Sequence, residues 1–143
     1  MVDLGAADAV GAVYEFLRGP AAAEVEAALG GPAHVHVTGV LEPGWPHIIL
    51  STGPGGDMRD LLWDSEQEVM VEVYSSPAGV PGEADLWAAC MRIVQLVRSM
   101  PERQVEPGAP VVARVKPSGA MAYQTLPTGH GKWTLGLLVV IHP

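Results

Sequence analysis

The side chains with the clearest potential for chemistry are the histidines, of which the chain has five. His34 and His36 lie two residues apart on a predicted strand and therefore share one face, and His47 could supply a third imidazole to a metal ion. Zinc sites usually combine closely spaced ligands with cysteine, whereas the single cysteine, Cys90, lies on the apolar face of a predicted helix. We therefore predict solvated histidines, no metal site and no cofactor.

A second candidate site is a group of carboxylates in the middle of the chain. Paired carboxylates can act as general acid and base or bind Mg²⁺. The sequence contains no calcium-binding loop, no P-loop and no Gly-x-Ser-x-Gly motif. We therefore interpret the group as a solvated acidic hairpin, predict no catalytic residues and predict that the protein is not an enzyme. The group comprises Asp57, Asp60, Asp64, Glu66, Glu68 and Glu72.

The net charge of −8 is unevenly distributed along the chain. Residues 1–91 contain 14 acidic and two basic side chains, a net charge of −12, and residues 92–143 contain two acidic and six basic ones, a net charge of +4. This asymmetry suits head-to-tail contacts between identical subunits, although a fold that mixes both halves on every face would cancel it. The acidic balance argues against sequence-specific nucleic-acid binding, which needs a basic surface.

Hydrophobic periodicity predicts the helices that frame these residues. An apolar stripe from Val10 to Leu17 predicts a first helix that starts near Asp3, where the aspartate can cap it. Residues 21–29 form a second helical piece, and a third helix covers 83–100 and is stopped by Pro101. The length of 143 residues and the 48% hydrophobic content predict one domain, 1–143, with a sizeable core.

Alternating apolar residues and turn signals predict the strands. The chain is interpreted as an α+β protein with a largely antiparallel sheet of about five strands and helices packed on one face. Residues 117–131, which are rich in Gly and Pro, are predicted to form a long loop. The predicted strands cover residues 33–38, 47–52, 68–75, 111–116 and 132–142.

The order of these elements resembles that of the tail terminator proteins of long, non-contractile-tailed bacteriophages (siphophages), particularly those that infect actinobacteria. The resemblance covers nearly the whole chain and has no catalytic motif. It is carried by element order, by size and by four segments: Val13-Tyr14-Glu15-Phe16-Leu17, Pro46-His47-Ile48-Ile49-Leu50, Glu68-Val69-Met70-Val71-Glu72-Val73-Tyr74-Ser75 and Arg98-Ser99-Met100-Pro101.

The resemblance implies a structural virion protein at the head–tail junction, made in the cytoplasm of the host bacterium. It implies a homo-oligomeric, hexameric ring that caps the tail tube, stops tail polymerisation and joins tail to head. The implied partners are the major tail tube protein and a head-completion or connector protein. Double-stranded DNA would pass through the lumen without sequence-specific binding.

The loops around 53–66 and 118–131 are the expected contacts with other subunits or with the tube. Trp45 and Trp63 are loop aromatics of the kind that anchor interfaces, although local packing under a loop would also account for them. The predicted interface residues are Trp45, Met58, Arg59, Leu62, Trp63, Asp64, Glu66, His130 and Lys132.

Two other functions fit the sequence. One is a different ring of the same particle, such as a head–tail connector or a head- or tail-completion protein, which would share the size and the α+β layout. The other is a small cellular ligand-binding domain, which would need a pocket with convergent polar groups.

Overall fold

The three longer described helices lie where apolar residues recur every three or four residues. A computed structural model describes residues 8–30, 34–36, 46–53, 65–103 and 111–142. The helices are α1 (Ala9–Arg18), α2 (Ala22–Leu29), α3 (Glu83–Arg98) and α4 (Met100–Arg103). The strands are β1 (His34–His36), β2 (His47–Thr52), β3 (Ser65–Tyr74), β4 (Val111–Thr125) and β5 (Gly131–His142).

The five strands form one sheet in the order β1-β2-β3-β5-β4. β1 pairs with β2 in parallel, and every other pair is antiparallel. The prediction of an α+β fold with a largely antiparallel sheet is therefore confirmed. β5 follows β4 in sequence but inserts between β3 and β4, so β5 is an interior strand and β4 is an edge strand.

The core lies between one face of the sheet and the helices. Val69, Val71 and Val73 alternate along β3 with no exposed surface, and Leu137 pairs with Val69 from the neighbouring strand. The helices cover this face with apolar residues of their own, Ile93 of α3 among them. Burial of large aliphatic side chains contributes roughly 1.5–3 kcal/mol each, so this layer is the main source of stability. The described helices all contact this face, and none of them packs on the other face of the sheet.

The first helix begins at Ala9, because Asp8 before it has extended backbone angles. Its start is tied to the sheet by the Ala9 amide, which donates to Oε1 of Gln67 at 3.0 Å. The expected start near Asp3 is therefore wrong for this helix. Pro101, which was expected to stop the third helix, lies in the first turn of α4 and does not end the helical region. A residue in the first turn has no partner within the helix for its backbone N–H, so the missing N–H of proline costs no hydrogen bond there.

The predicted loop at 117–131 is wrong over most of its length. β4 continues through Pro117 to Thr125, and only residues 126–130 form the turn to β5. The strand pairing is irregular between Pro117 and Met121, where Gly119 adopts a φ of 94°. An edge strand has a free side that tolerates a proline and a bulge.

No helix within the described ranges is long and apolar enough to cross a membrane.

Candidate assembly surfaces

The face of the sheet that carries no helices holds most of the charged strand residues. Because side chains alternate along a strand, the residues between the buried valines of β3 all lie on this helix-free face, and their partners on β5 and β4 lie there too. Its main polar members are Glu66, Glu68, Glu72 and Tyr74 on β3, Lys132 on β5, and Arg114 and Lys116 on β4.

Glu72, Tyr74 and Lys132 form one interaction network on this face. The Tyr74 hydroxyl donates to Oε2 of Glu72 at 2.6 Å, and Nζ of Lys132 lies 3.2 Å from the same oxygen. Nζ also lies 5.7 Å from the centre of the Tyr74 ring. Burial, and then the bonded Glu72 carboxylate, raise the pKa of the Tyr74 phenol. The network therefore holds a neutral phenol, a carboxylate and an ammonium in fixed positions.

Glu66 lies at the far end of the same strand. Its Oε2 is 3.9 Å from Nζ of Lys116, and the Lys116 side chain is 52% exposed. Glu66 pairs with Val140 and Tyr74 with Lys132, so the predicted interface residues Glu66 and Lys132 are separated by about 26 Å along β3. Each has an ion-pair partner in its own subunit, and the structure does not bring the two together.

His130 lies in the turn between β4 and β5 and is only 8% exposed. Its Nδ1 is 2.6 Å from the Thr128 hydroxyl. The turn is fixed against the segment after β3, because the Gly131 amide donates to the Ser75 hydroxyl at 2.7 Å and the Ser75 amide donates to the Gly131 carbonyl at 2.8 Å. His130 therefore contributes packing within the subunit and offers little surface to a partner. The other predicted interface residues lie outside the described residues: Trp45, Met58, Arg59, Leu62, Trp63 and Asp64.

Two polar residues of the helix-free face are more buried than the sequence suggested. His47 has no exposed surface and lies opposite Tyr74 in the β2–β3 register. Glu68 is 6% exposed and packs over Gly53, where a Cβ atom would lie 2.2 Å from Oε1 of Glu68. The prediction of solvation is therefore wrong for both residues. Among the described residues no group of three or more His, Cys, Asp or Glu could hold a metal ion.

A surface feature that the sequence did not reveal is the aromatic cluster of Trp87, Tyr123 and Trp133. The Trp133 ring lies between the other two, with centroids 4.6 Å from Trp87 and 5.2 Å from Tyr123. The Trp133 indole N–H donates to the Glu83 carbonyl at 3.0 Å. All three residues are half-buried. Tyr123 falls in the segment predicted to be a loop, so its place beside Trp133 depended on recognising the full length of β4.

The arrangement defines a class of fold: a five-stranded, mostly antiparallel sheet with helices on one face. The same arrangement occurs in a chain of the solved virion of a native gene transfer agent (GTA) particle. The two chains superpose with a TM-score of 0.61 at 15% sequence identity, over 94% of this chain and 98% of that one. At this identity the likeness establishes the fold. No protein-family model and no curated protein sequence matches the chain.

Proposed function

We propose that this protein is a structural component of a phage-like virion, and that within the particle it is the tail terminator. The observation that carries the proposal is the match to a GTA virion chain, which spans nearly the whole of both chains. The match covers 94% of this chain and 98% of that chain, so the two compared chains are of similar size, as expected for corresponding building blocks of an assembly.

The finer assignment rests on the order of elements and on the segments that resemble siphophage tail terminators. In this role six copies form a ring on the last layer of the tail tube, stop its growth and present a surface to the head-completion protein. Six copies at −8 each carry about −48, and a field of this sign repels DNA from the channel wall. DNA passes through such a ring without adhering to it.

The test is the location of this chain in purified particles by electron microscopy. The proposal expects a ring of this subunit between the last tail-tube layer and the head connector. A ring in contact with the portal would assign the chain to the head–tail connectors or completion proteins, because the GTA match is compatible with that place as well. Absence of the chain from particles would refute the virion assignment and favour a cellular ligand-binding domain.

A further inference from the structure

The aromatic cluster is flanked by exposed apolar surface. Met121 is 57% exposed and lies two residues before Tyr123 on the same face of β4, since Met121 pairs with Leu135 and Tyr123 with Trp133. Tryptophan, tyrosine and methionine are enriched where proteins bind each other. The hydrogen bond from Trp133 to Glu83 fixes the central ring, so a partner would lose little side-chain entropy in ordering it.

The cluster has an acidic border. Glu83, whose carbonyl accepts the Trp133 bond, lies exposed in the first turn of α3, about one helical turn before Trp87. An apolar centre with a carboxylate at its edge is complementary to a partner surface that combines an apolar side chain with cations.

The opposite end of the same strand has that combination. Val111 is 49% exposed, and Arg114 and Lys116 are exposed further along the same strand. Arg114 pairs with Val140 and Tyr123 with Trp133, which places the cationic segment, residues 111–116, about 23 Å from the aromatic cluster. Nζ of Lys116 lies 3.9 Å from Oε2 of Glu66 in the same subunit, and an exposed ion pair of this length holds the lysine only weakly.

We propose that the aromatic cluster binds the cationic segment of a second copy of this chain, with Met121 and Tyr123 against Val111 and with Glu83 facing Arg114 and Lys116. The two surfaces differ and lie at opposite ends of one edge strand, so each copy can use both at once. Contacts of this kind join subunits head to tail and close into rings. The inference rests on the proposed function in that a ring of identical subunits requires such a contact.

Disulfide trapping tests the contact directly. Val111→Cys and Met121→Cys are made separately and together in the full chain, and each protein is oxidised and examined by non-reducing electrophoresis. We expect the double variant to form a ladder of multimers and an equimolar mixture of the single variants to form dimers. Each single variant alone should run as a monomer in non-reducing electrophoresis. Cys90 should not interfere, because it has no exposed surface and burial raises the pKa of its thiol to about 11.

Three results would overturn the proposal. Dimers of Met121→Cys alone would indicate a twofold contact, in which the cluster meets its own copy. Cross-linking of the double-cysteine variant that is unaffected by Tyr123→Asp, with Tyr123→Phe as the matched control, would show that the cluster is not involved. A chain that forms no cross-links and remains monomeric by light scattering would exclude the contact but leave the virion assignment intact, because that assignment is tested separately by imaging.

A charge exchange gives an independent measurement on folded protein. Glu83→Lys and Arg114→Glu should each weaken association about two- to fivefold, as expected for the loss of an exposed ion pair. Their combination should recover most of the affinity, because the two opposite charges then face each other again. Losses that simply add in the double variant would show that these residues do not meet across the interface.

Discussion

Single side chains on this sheet are defined by their neighbours on adjacent strands, which the linear sequence does not display. Lys132 was expected to serve an interface, yet its ammonium lies 3.2 Å from Glu72 in the same subunit. His47 was expected in solvent and is fully buried opposite Tyr74. Residue types and spacing predicted which face each side chain occupies, but the partner across the strand depends on the register.

The Tyr74 network should make stability depend on alkaline pH. Because the folded state raises the pKa of Tyr74 above its reference of 10.0, the protonated phenol stabilises the fold at lower pH, and that contribution is lost as the pH rises above about 10. Burial raises the pKa of Cys90 from 9.0 to about 11, which adds a loss in the same direction. Chemical denaturation from pH 8 upward should show a falling free energy of unfolding.

The variant Tyr74→Phe identifies the share of the phenol. The substitution should lower the free energy of unfolding near neutral pH by about 1–2 kcal/mol, since it removes a hydrogen bond to a charged group. The free energy of unfolding of the variant should then fall less steeply with rising pH than that of the natural chain. Combining it with Cys90→Ala should flatten the profile further. An equally steep fall in Tyr74→Phe would show that the phenol does not contribute.

Alanine substitutions at two glycines should distinguish the cost of backbone strain from the cost of a steric clash. Gly129 has a φ of 97°, and a Cβ atom there would lie 2.1 Å from the Pro77 carbonyl oxygen, whereas Gly30 has a φ of 75° with open space around it. We expect Gly30→Ala to cost about 1–2 kcal/mol, the strain of a left-handed alanine. Gly129→Ala should cost about 3 kcal/mol or more, because a backbone atom must also move. Equal losses in denaturant titrations would contradict this assignment.

At the scale of elements, alternation along β3 and helical spacing in α3 were sufficient to predict both, because each has one buried face. The strand β4 was missed beyond Lys116, since Pro117 and Gly119 have the composition of a loop. Its location at the sheet edge explains the difference: only one side of β4 pairs with a neighbour, and a bulge there costs few hydrogen bonds. A sequence cannot show whether a strand will lie at an edge until the topology is known.

The contact between α3 and β5 should be measurable as a coupling energy. A double-mutant cycle with Trp87→Ala and Trp133→Ala should give about 0.5–1.5 kcal/mol of interaction, the usual range for an aromatic pair, since their rings are 4.6 Å apart. The variant Trp133→Phe keeps a ring but loses the hydrogen bond to the Glu83 carbonyl, so its free energy of unfolding should be lower by about 1 kcal/mol. Additive effects in the cycle would show that the two rings do not stabilise each other.

At the scale of the whole molecule, the uneven charge predicts that the proposed association of subunits depends on salt. If acids of the 57–66 segment meet bases of a neighbouring subunit, charge reversal at Arg59 or Asp64 should change the mass of the assembly at low ionic strength, and the effect should fade as salt is added. Light scattering over a series of salt concentrations measures this. Glu26→Lys, on the exposed side of α2, is a control. A mass unaffected by Asp64→Lys at every ionic strength would count against charge pairing through this segment.

The position of β5 between β3 and β4 also determines when the protein can fold during its synthesis. β3 pairs with β5 along its whole length, from Ser65 opposite Ile141 to Tyr74 opposite Lys132, so its partner is translated long after β3 itself. Until residue 142 has left the ribosome, one edge of β3 lacks its partner strand and the part of α3 that packs on β5 has no cover. Contacts between residues so distant in sequence form slowly. The nascent chain therefore depends on the final strand for its core, and a ribosome that stalls before β5 would release an aggregation-prone fragment.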